Sequence, residues 1–288
     1  MAAALAATSG AVEAHFARVL EGFGSDRVAE AMRYALVGGK RIRACLVIEG
    51  ARLFDQPAGR AIWPACAIEA MHAYSLVHDD LPSMDDDGLR RGRPTVHVRW
   101  DEATAILAGD ALQALAFELA AHPEGAESAQ ARADLALGLA RAAGGKGMVL
   151  GQALDIAAES AAAPLTLAEI TALQQAKTGA LIGWAATAGA RMAGADPAPL
   201  AAYGRALGLA FQIQDDVIDA TGDAGLAGKA VGKDAAAGKA TFVSLMGIEA
   251  ARGRAAGLAE EACEALSCLG AAAETLRQLA RFAIARHN

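Results

Sequence analysis

Two aspartate clusters interrupt otherwise apolar, helix-patterned sequence: Asp79-Asp80-Leu81-Pro82-Ser83-Met84-Asp85-Asp86-Asp87 and Asp215-Asp216-Val217-Ile218-Asp219. Asp215 and Asp219 are four residues apart, so a helix stacks them on one face, where like charges destabilise it unless a cation lies between them. The first cluster ends the helix predicted over Ile62 to Asp80, where the macrodipole is already negative. Carboxylates so poorly placed for stability point to a bound metal. Mg²⁺ suits them, because it takes one or two carboxylates and fills its remaining octahedral positions with water and substrate phosphates. Two such clusters facing one cavity would clamp a diphosphate. For the first cluster alone a solvated acidic helix end is an equal alternative; the second cluster moves the reading to metal.

Basic residues complete the set. Gly38-Gly39-Lys40-Arg41-Ile42-Arg43 puts a glycine break before three cations, an arrangement in which N–H groups and side chains can surround a phosphate. Taken alone, a helix C-cap followed by solvated cations is the commoner meaning of such a run. Arg90-Arg91-Gly92-Arg93 either neutralises the first cluster or reaches a diphosphate. Glu69-x-x-His72 has the spacing of half a di-iron carboxylate site, which needs a second Glu-x-x-His. None exists, since His15, His78, His97, His122 and His287 all lack a Glu three residues earlier. His72 is then a satisfied core histidine or a hydrogen-bond donor to an anion.

The elements that must hold these groups are helical. Of 288 residues 54% are hydrophobic and only 5% aromatic, alanine dominates, and β-branched residues are few, so the composition predicts an all-α fold in one domain over residues 1–288. Glycine, proline and capping residues punctuate about ten helices. Gly38-Gly39 ends a helix over Arg27 to Val37, and Gln56-Pro57-Ala58-Gly59 reads as a turn. Asp101 caps a helix that Pro123 ends. Thr166 to Glu169 forms a capping box for the helix that carries Lys177 and Thr178, and Asp196-Pro197 opens the long helix of the second cluster. From Gly222 to Lys239 the pattern lapses, so this segment with Lys229, Lys233 and Lys239 is either a cover for the substrate or a disordered surface loop.

A net charge of −7 gives no field for nucleic acid or an anionic membrane, so an anionic substrate must be held by local cations. Cys45, Cys66, Cys263 and Cys268 follow neither a zinc nor a disulfide pattern and fit free buried thiols in a reducing cytoplasm. No uncharged apolar run has the length of a membrane span.

Together Gly-Gly-Lys-Arg-Ile-Arg at 38–43, Glu69-x-x-His72-x-x-Ser75-Leu76-Val77-His78-Asp79-Asp80, Asp85, Arg90-Arg91-Gly92, Lys177-Thr178-Gly179 and Phe211-Gln212-Ile213-Gln214-Asp215-Asp216-x-x-Asp219 closely resemble the trans-polyprenyl diphosphate synthases, above all the bacterial enzymes that make farnesyl diphosphate. The resemblance keeps the order and spacing of every motif from about residue 30 to residue 245. It implies an isoprenoid-synthase helical bundle around a deep central cavity, usually homodimeric. Asp79 and Asp85, with Asp80 nearby, would bind Mg²⁺ that bridges to an allylic diphosphate, and Asp215 with Asp219 a further ion. Arg90, Lys177, Thr178, Gln212 and Lys229 match positions that contact the allylic diphosphate, and Lys239 lies in the same loop as Lys229. Lys40, Arg43, His72 and Arg91, beside Gly39, match those that hold isopentenyl diphosphate.

The implied chemistry is ionisation of the allylic C–O bond, head-to-tail attack by isopentenyl diphosphate, and loss of a proton, in which Asp79, Asp80, Asp85, Arg90, Lys177 and Asp215 take part. Tyr74, next to Ser75, corresponds to the aromatic floor that limits product length, although five residues turn a helix by about 140° and a contact with a neighbouring helix is the rival reading. A geranylgeranyl or longer-chain synthase and an inactive partner subunit are the alternatives. The C-terminal Arg286-His287-Asn288 departs from relatives that carry more basic residues there.

Overall fold

The computed structural model describes residues 1–161, 163–221 and 240–285. The segment with Lys229, Lys233 and Lys239 and the tail Arg286-His287-Asn288 lie outside the described residues. The all-α expectation is met, with one short β-hairpin added. Backbone packing divides the chain into two compact units. One comprises Ala2–Leu139 with Ala188–Ala195; the other comprises Met1, Ala140–Thr187 and Asp196–Asn288.

The first unit contains α1 (Ala2–Val19), α2 (Arg27–Ala35), α3 (Ile42–Arg52), α4 (Ala58–Asp79), the strands β1 (Leu89–Arg90) and β2 (Arg93–Pro94), α5 (Val96–Arg99), α6 (Glu102–Ala121) and the start of α7 (Ala129–Ala143). α4 lies along α6 on one side and α3 on the other, over a core that includes Leu46, Ile68, Met71, Leu112 and Leu119. Gly109 allows the close approach of α4 and α6, since a Cβ there would lie 2.1 Å from Nε2 of His78.

Two sequence-read boundaries shift and a third holds. α2 stops at Ala35, two residues before Val37. The expected turn at Gln56–Gly59 is instead the first turn of α4: the Pro57 ring holds φ at −59° and its carbonyl accepts the N–H groups of Arg60 and Ala61. Asp101 caps α6 as expected, accepting the Thr104 N–H at 2.7 Å. α6 has the length and hydropathy of a membrane span, but half of it is buried inside the first unit, which is how a core helix passes that test. Cys45, Cys66 and Cys263 are buried thiols as expected, whereas Cys268 is exposed.

The second unit holds α8 (Met148–Glu159), α9 (Leu167–Gln174), a π-helical turn (Gln175–Gly179), the first part of α10 (Ala180–Ala193), α11 (Ala198–Thr221), α12 (Phe242–Met246), α13 (Ile248–Ala265) and α14 (Glu274–Ala285). The Thr166–Glu169 capping box opens α9 with both reciprocal hydrogen bonds, and Asp196 accepts the Ala198 N–H at 2.9 Å to open α11. α11 is the spine. It packs on α13, the Tyr203 hydroxyl donates to the Leu276 carbonyl at 2.8 Å, and Gly204 and Gly208 let its backbone approach Gly183 and Gly179. Ile213, Val217, Phe242 and Leu258 share one apolar cluster.

In the first unit a Cβ at Gly189 would lie 2.2 Å from the main chain of Gly50, which no rotamer change can relieve. Gly189→Ala is therefore expected to destabilise the protein by at least the ~1–3 kcal/mol of ordinary overpacking. Urea denaturation followed by circular dichroism measures it; an unchanged midpoint contradicts this packing of α3 against α10.

Candidate active site

The acidic end of α4 folds back on itself. The Asp85 N–H donates to the Asp79 carbonyl at 2.9 Å and the Asp87 N–H to the Asp80 carbonyl at 3.2 Å, so main-chain bonds bring the end of the cluster back to its beginning. Asp79 and Asp85 are partly exposed, whereas Asp80 is buried. The Asp80 carboxylate accepts from Nε of Arg90 at 2.6 Å and pairs with its Nη2 at 2.5 Å, while Asp87 lies 3.8 Å from the same guanidinium. Arg90 is thus ion-paired with the first cluster.

Arg91 goes elsewhere, and the hairpin explains why. Arg90 pairs with Arg93 across β1 and β2, which leaves Arg91 (φ 53°) and Gly92 (φ 70°) as a two-residue turn with both φ values positive, the pattern of a type I′ connection. The Arg91 guanidinium donates to the Val37 carbonyl at 3.2 Å and covers Gly39, where a Cβ would lie only 2.7 Å from its Nη2. With φ at 93°, Gly39 holds a left-handed conformation that favours glycine.

The run Lys40-Arg41-Ile42-Arg43 does not present three cations to solvent. Arg41 is buried, and its guanidinium pairs with Glu69 at 3.1 Å and donates to the Leu36 carbonyl. Lys40 is exposed and Arg43 is partly exposed. His72, one turn beyond Glu69 on α4, lies among these cations. Burial, and then the charges of Arg43, Arg91, Arg90 and Arg41, hold its imidazole well below the ordinary histidine pKa. In the first unit Arg43 and Arg91 thus act on His72, Arg91 also covers Gly39, and the exposed Lys40 follows Gly39 in the chain. Tyr74 turns toward α6: its ring meets His78 edge to face at 5.0 Å, and Gln113 hydrogen-bonds its hydroxyl. Ser75 donates to the His72 carbonyl at 2.8 Å.

In the second unit Lys177 and Thr178 lie in the π-helical turn, a departure from the single α-helix read from sequence. Gly151 of α8 meets that turn so closely that a Cβ would lie 2.1 Å from the Lys177 nitrogen. Lys177 Nζ pairs with Asp155 of α8 at 2.6 Å. The Thr178 hydroxyl donates to Gln212 at 3.0 Å, and Gln212 donates to Asp216 at 3.1 Å. Asp216 is buried and also accepts the Phe242 N–H at 2.9 Å, so it ties α11 to the start of α12. Asp215 and Asp219 are partly exposed, one turn apart on α11.

Sequence reasoning missed Asp155 and the structural duties of Asp216, Arg41 and Glu69. Asp155 alone had a signal, as the lone charge in the stretch Met148–Ala158. Among the described residues no three His, Cys, Asp or Glu side chains converge into a preformed metal cage. Hard carboxylate oxygens, few per cluster and beside cations, do not suit a closed structural zinc site; they fit an ion that takes most of its ligands from water and substrate, as Mg²⁺ does.

Comparison with known proteins places this helical fold in a family. Residues 25–278 match the family described as polyprenyl synthetase. The chain is 46% identical over 254 residues to farnesyl diphosphate synthase of Escherichia coli K12, covering 86% of this chain and 84% of that protein. It is 40% identical to geranylgeranyl pyrophosphate synthase 11 of Arabidopsis thaliana, covering 91% of this chain and 75% of that one. Among solved structures, an apo FPP/GFPP synthase from Zymomonas mobilis superposes with a TM-score of 0.88 at 44% identity, covering 99% of this chain and all of that one. The chain belongs to the polyprenyl synthetase family and is a prenyltransferase.

His72 gives a test with a definite sign. Because its folded pKa is depressed, the unfolded chain binds a proton that the folded state refuses once the pH falls below about 6.5. The group thus withdraws stability as the pH falls through that value and is neutral in effect above it. Urea midpoints between pH 7 and 5 should fall less steeply in His72→Gln than in the parent, by up to about 1.4 kcal/mol per pH unit for one proton. Parallel slopes refute the neutral imidazole.

Proposed function

We propose that the enzyme condenses isopentenyl diphosphate with dimethylallyl and then geranyl diphosphate, head to tail, to give farnesyl diphosphate. The observation that carries this reading is the grouping of Lys40, Arg43, His72 and Arg91, a cationic site made without the metal-type carboxylates, next to the acidic end of α4. A protein that acted on one diphosphate would have no use for it. The similarity to farnesyl diphosphate synthases over most of their length supports the same product. The plant relative supports geranylgeranyl diphosphate as the second reading. An inactive partner subunit is disfavoured, because both aspartate motifs are intact.

In this reading the chain's own residues bind, orient and exclude water. Lys40, Arg43 and Arg91 hold the diphosphate of isopentenyl diphosphate by charge-assisted hydrogen bonds, and His72, being neutral, donates one N–H without taking a further charge. Lys177, Thr178 and Gln212, with Arg90, Lys229 and Lys239, contact the allylic diphosphate. Asp79 and Asp85, with Asp80 fixed by Arg90, and Asp215 with Asp219 would hold Mg²⁺. When bound, the metal supplies positive charge that stabilises the departing diphosphate. The double bond of isopentenyl diphosphate then attacks the allylic carbon, and the departing diphosphate takes the proton. One catalytic domain over residues 1–288 and a cytoplasmic homodimer belong to the same reading.

One assay tests this. Purified protein given dimethylallyl and isopentenyl diphosphates should make a fifteen-carbon product only with divalent metal. Asp79→Asn should lower kcat by orders of magnitude with the fold intact, since it removes charge stabilisation and not packing. Near-parental turnover would refute its metal role. In the same assay a folded Tyr74→Ala should give longer products if Tyr74 limits the pocket, and an unchanged fifteen-carbon product would leave it only its contact with α6.

A further inference from the structure

The chemistry proposed above leaves the Glu69-x-x-His72 spacing half explained, because His72 has a part in it and Glu69 has none. Glu69 is buried against Arg41, at side-chain exposures of 4% and 2%, and cannot touch a diphosphate. We propose that Glu69 is a positioning residue: through Arg41 and the first turn of α3 it sets where Lys40 and Arg43 stand relative to His72. This rests on the reading that Lys40, Arg43, His72 and Arg91 hold the diphosphate of isopentenyl diphosphate.

Both carboxylate oxygens are in use, on two different parts of the α3 start. Oε1 accepts the Ala44 N–H at 3.0 Å, and Oε2 accepts from the Arg41 guanidinium at 3.1 Å. Ala44 is the third residue of α3, whose amide is ordinarily satisfied by an oxygen on the N-cap side chain. Here the N-cap is Arg41, which has no acceptor and makes no side-chain cap. The cap comes from α4 instead, and its negative charge meets the positive end of the α3 dipole.

Arg41 closes the other side. Its second hydrogen bond goes to the Leu36 carbonyl just past α2, so one guanidinium spans the loop that contains Gly38 (φ 79°) and Gly39 (φ 93°). Arg41 itself is in the left-handed region at φ 51°, which an L-residue keeps only when its surroundings hold it. With Arg41 turned into the core, Lys40 before it is left exposed. Arg43 begins α3 near His72, which lies one helical turn from Glu69 on the same helix. The three-residue spacing is therefore a register: one position fastens α3 to α4, and the next turn presents the group that works with α3.

A plain stability role makes a different prediction. Buried ion pairs are weak sources of net stability, and replacing both partners with uncharged groups of similar size is often neutral. The double variant Arg41→Met/Glu69→Gln keeps a carbonyl oxygen for the Ala44 N–H, leaves no buried charge unpaired, and removes the tie to Leu36. We expect it to fold, with Tm within about 5 °C of the parent. Its KM for isopentenyl diphosphate should rise at least tenfold, while KM for dimethylallyl diphosphate and kcat at saturation stay within threefold.

Arg41→Lys keeps the charge paired but loses the forked donor set, and should show a smaller rise in the same KM. It gives the same readout if the double variant does not fold. A folded variant with a parental KM for isopentenyl diphosphate overturns the positioning role, as does a fall in kcat with both KM values unchanged. Arg43→Ala, measured alongside, separates the two readings. If it raises that KM while the Arg41 variants do not, only the positioning role falls; if it does not, the diphosphate site lies elsewhere and both readings fall.

Discussion

Arg41 and Glu69 are almost fully withdrawn from water, where a charge without its partner is costly. Breaking such a pair by removing one partner costs about 3–5 kcal/mol, because the other charge is stranded. That penalty fixes the start of α3 on α4, and through it the basic face of the first unit. The same constraint recurs wherever a site residue is anchored. Arg90 is held by Asp80, and Lys177 by Asp155. Asp216 is held by Gln212 and the Phe242 N–H. Each cluster has buried and partly exposed members. In the first motif Asp80 is buried while Asp79 and Asp85 are partly exposed; in the second Asp216 is buried while Asp215 and Asp219 are partly exposed.

Much of the helical framework was legible because its signals are local. Asp101, Thr166 with Glu169, and Asp196 cap helices through bonds to residues two or three positions away, so their meaning lies within one short window of sequence. The glycine break at 38–39 was legible for the same reason. What could not be read depends on residues far apart in the chain. Arg41 looks like one more phosphate-binding cation until α4 brings Glu69 against it, 28 residues later. Lys177 lies in a π-helical turn that meets Gly151 of α8, a fit that no helical periodicity encodes. Arg90 and Arg91 look like one patch, yet a turn with two positive φ values sends them to different partners.

In the proposed function the cationic and acidic sets divide between the two substrates. Glu69 is taken up by Arg41 and the Ala44 N–H, so in the proposed function the diphosphate held by Lys40, Arg43, His72 and Arg91 meets guanidinium, ammonium and a neutral imidazole without a carboxylate to bridge. The proposed allylic site is the opposite case, because acidic residues such as Asp79 and Asp85 repel a diphosphate until something positive lies between them, and Arg90 is already paired with Asp80.

Binding of isopentenyl diphosphate to the metal-free enzyme tests this division directly. Isothermal titration calorimetry in the presence of a chelator should show saturable binding with a Kd within about threefold of that measured with Mg²⁺, weakening as salt screens the cations. Heat of binding that appears only after Mg²⁺ is restored would contradict the account, since it would mean that the cationic face alone does not hold the second diphosphate.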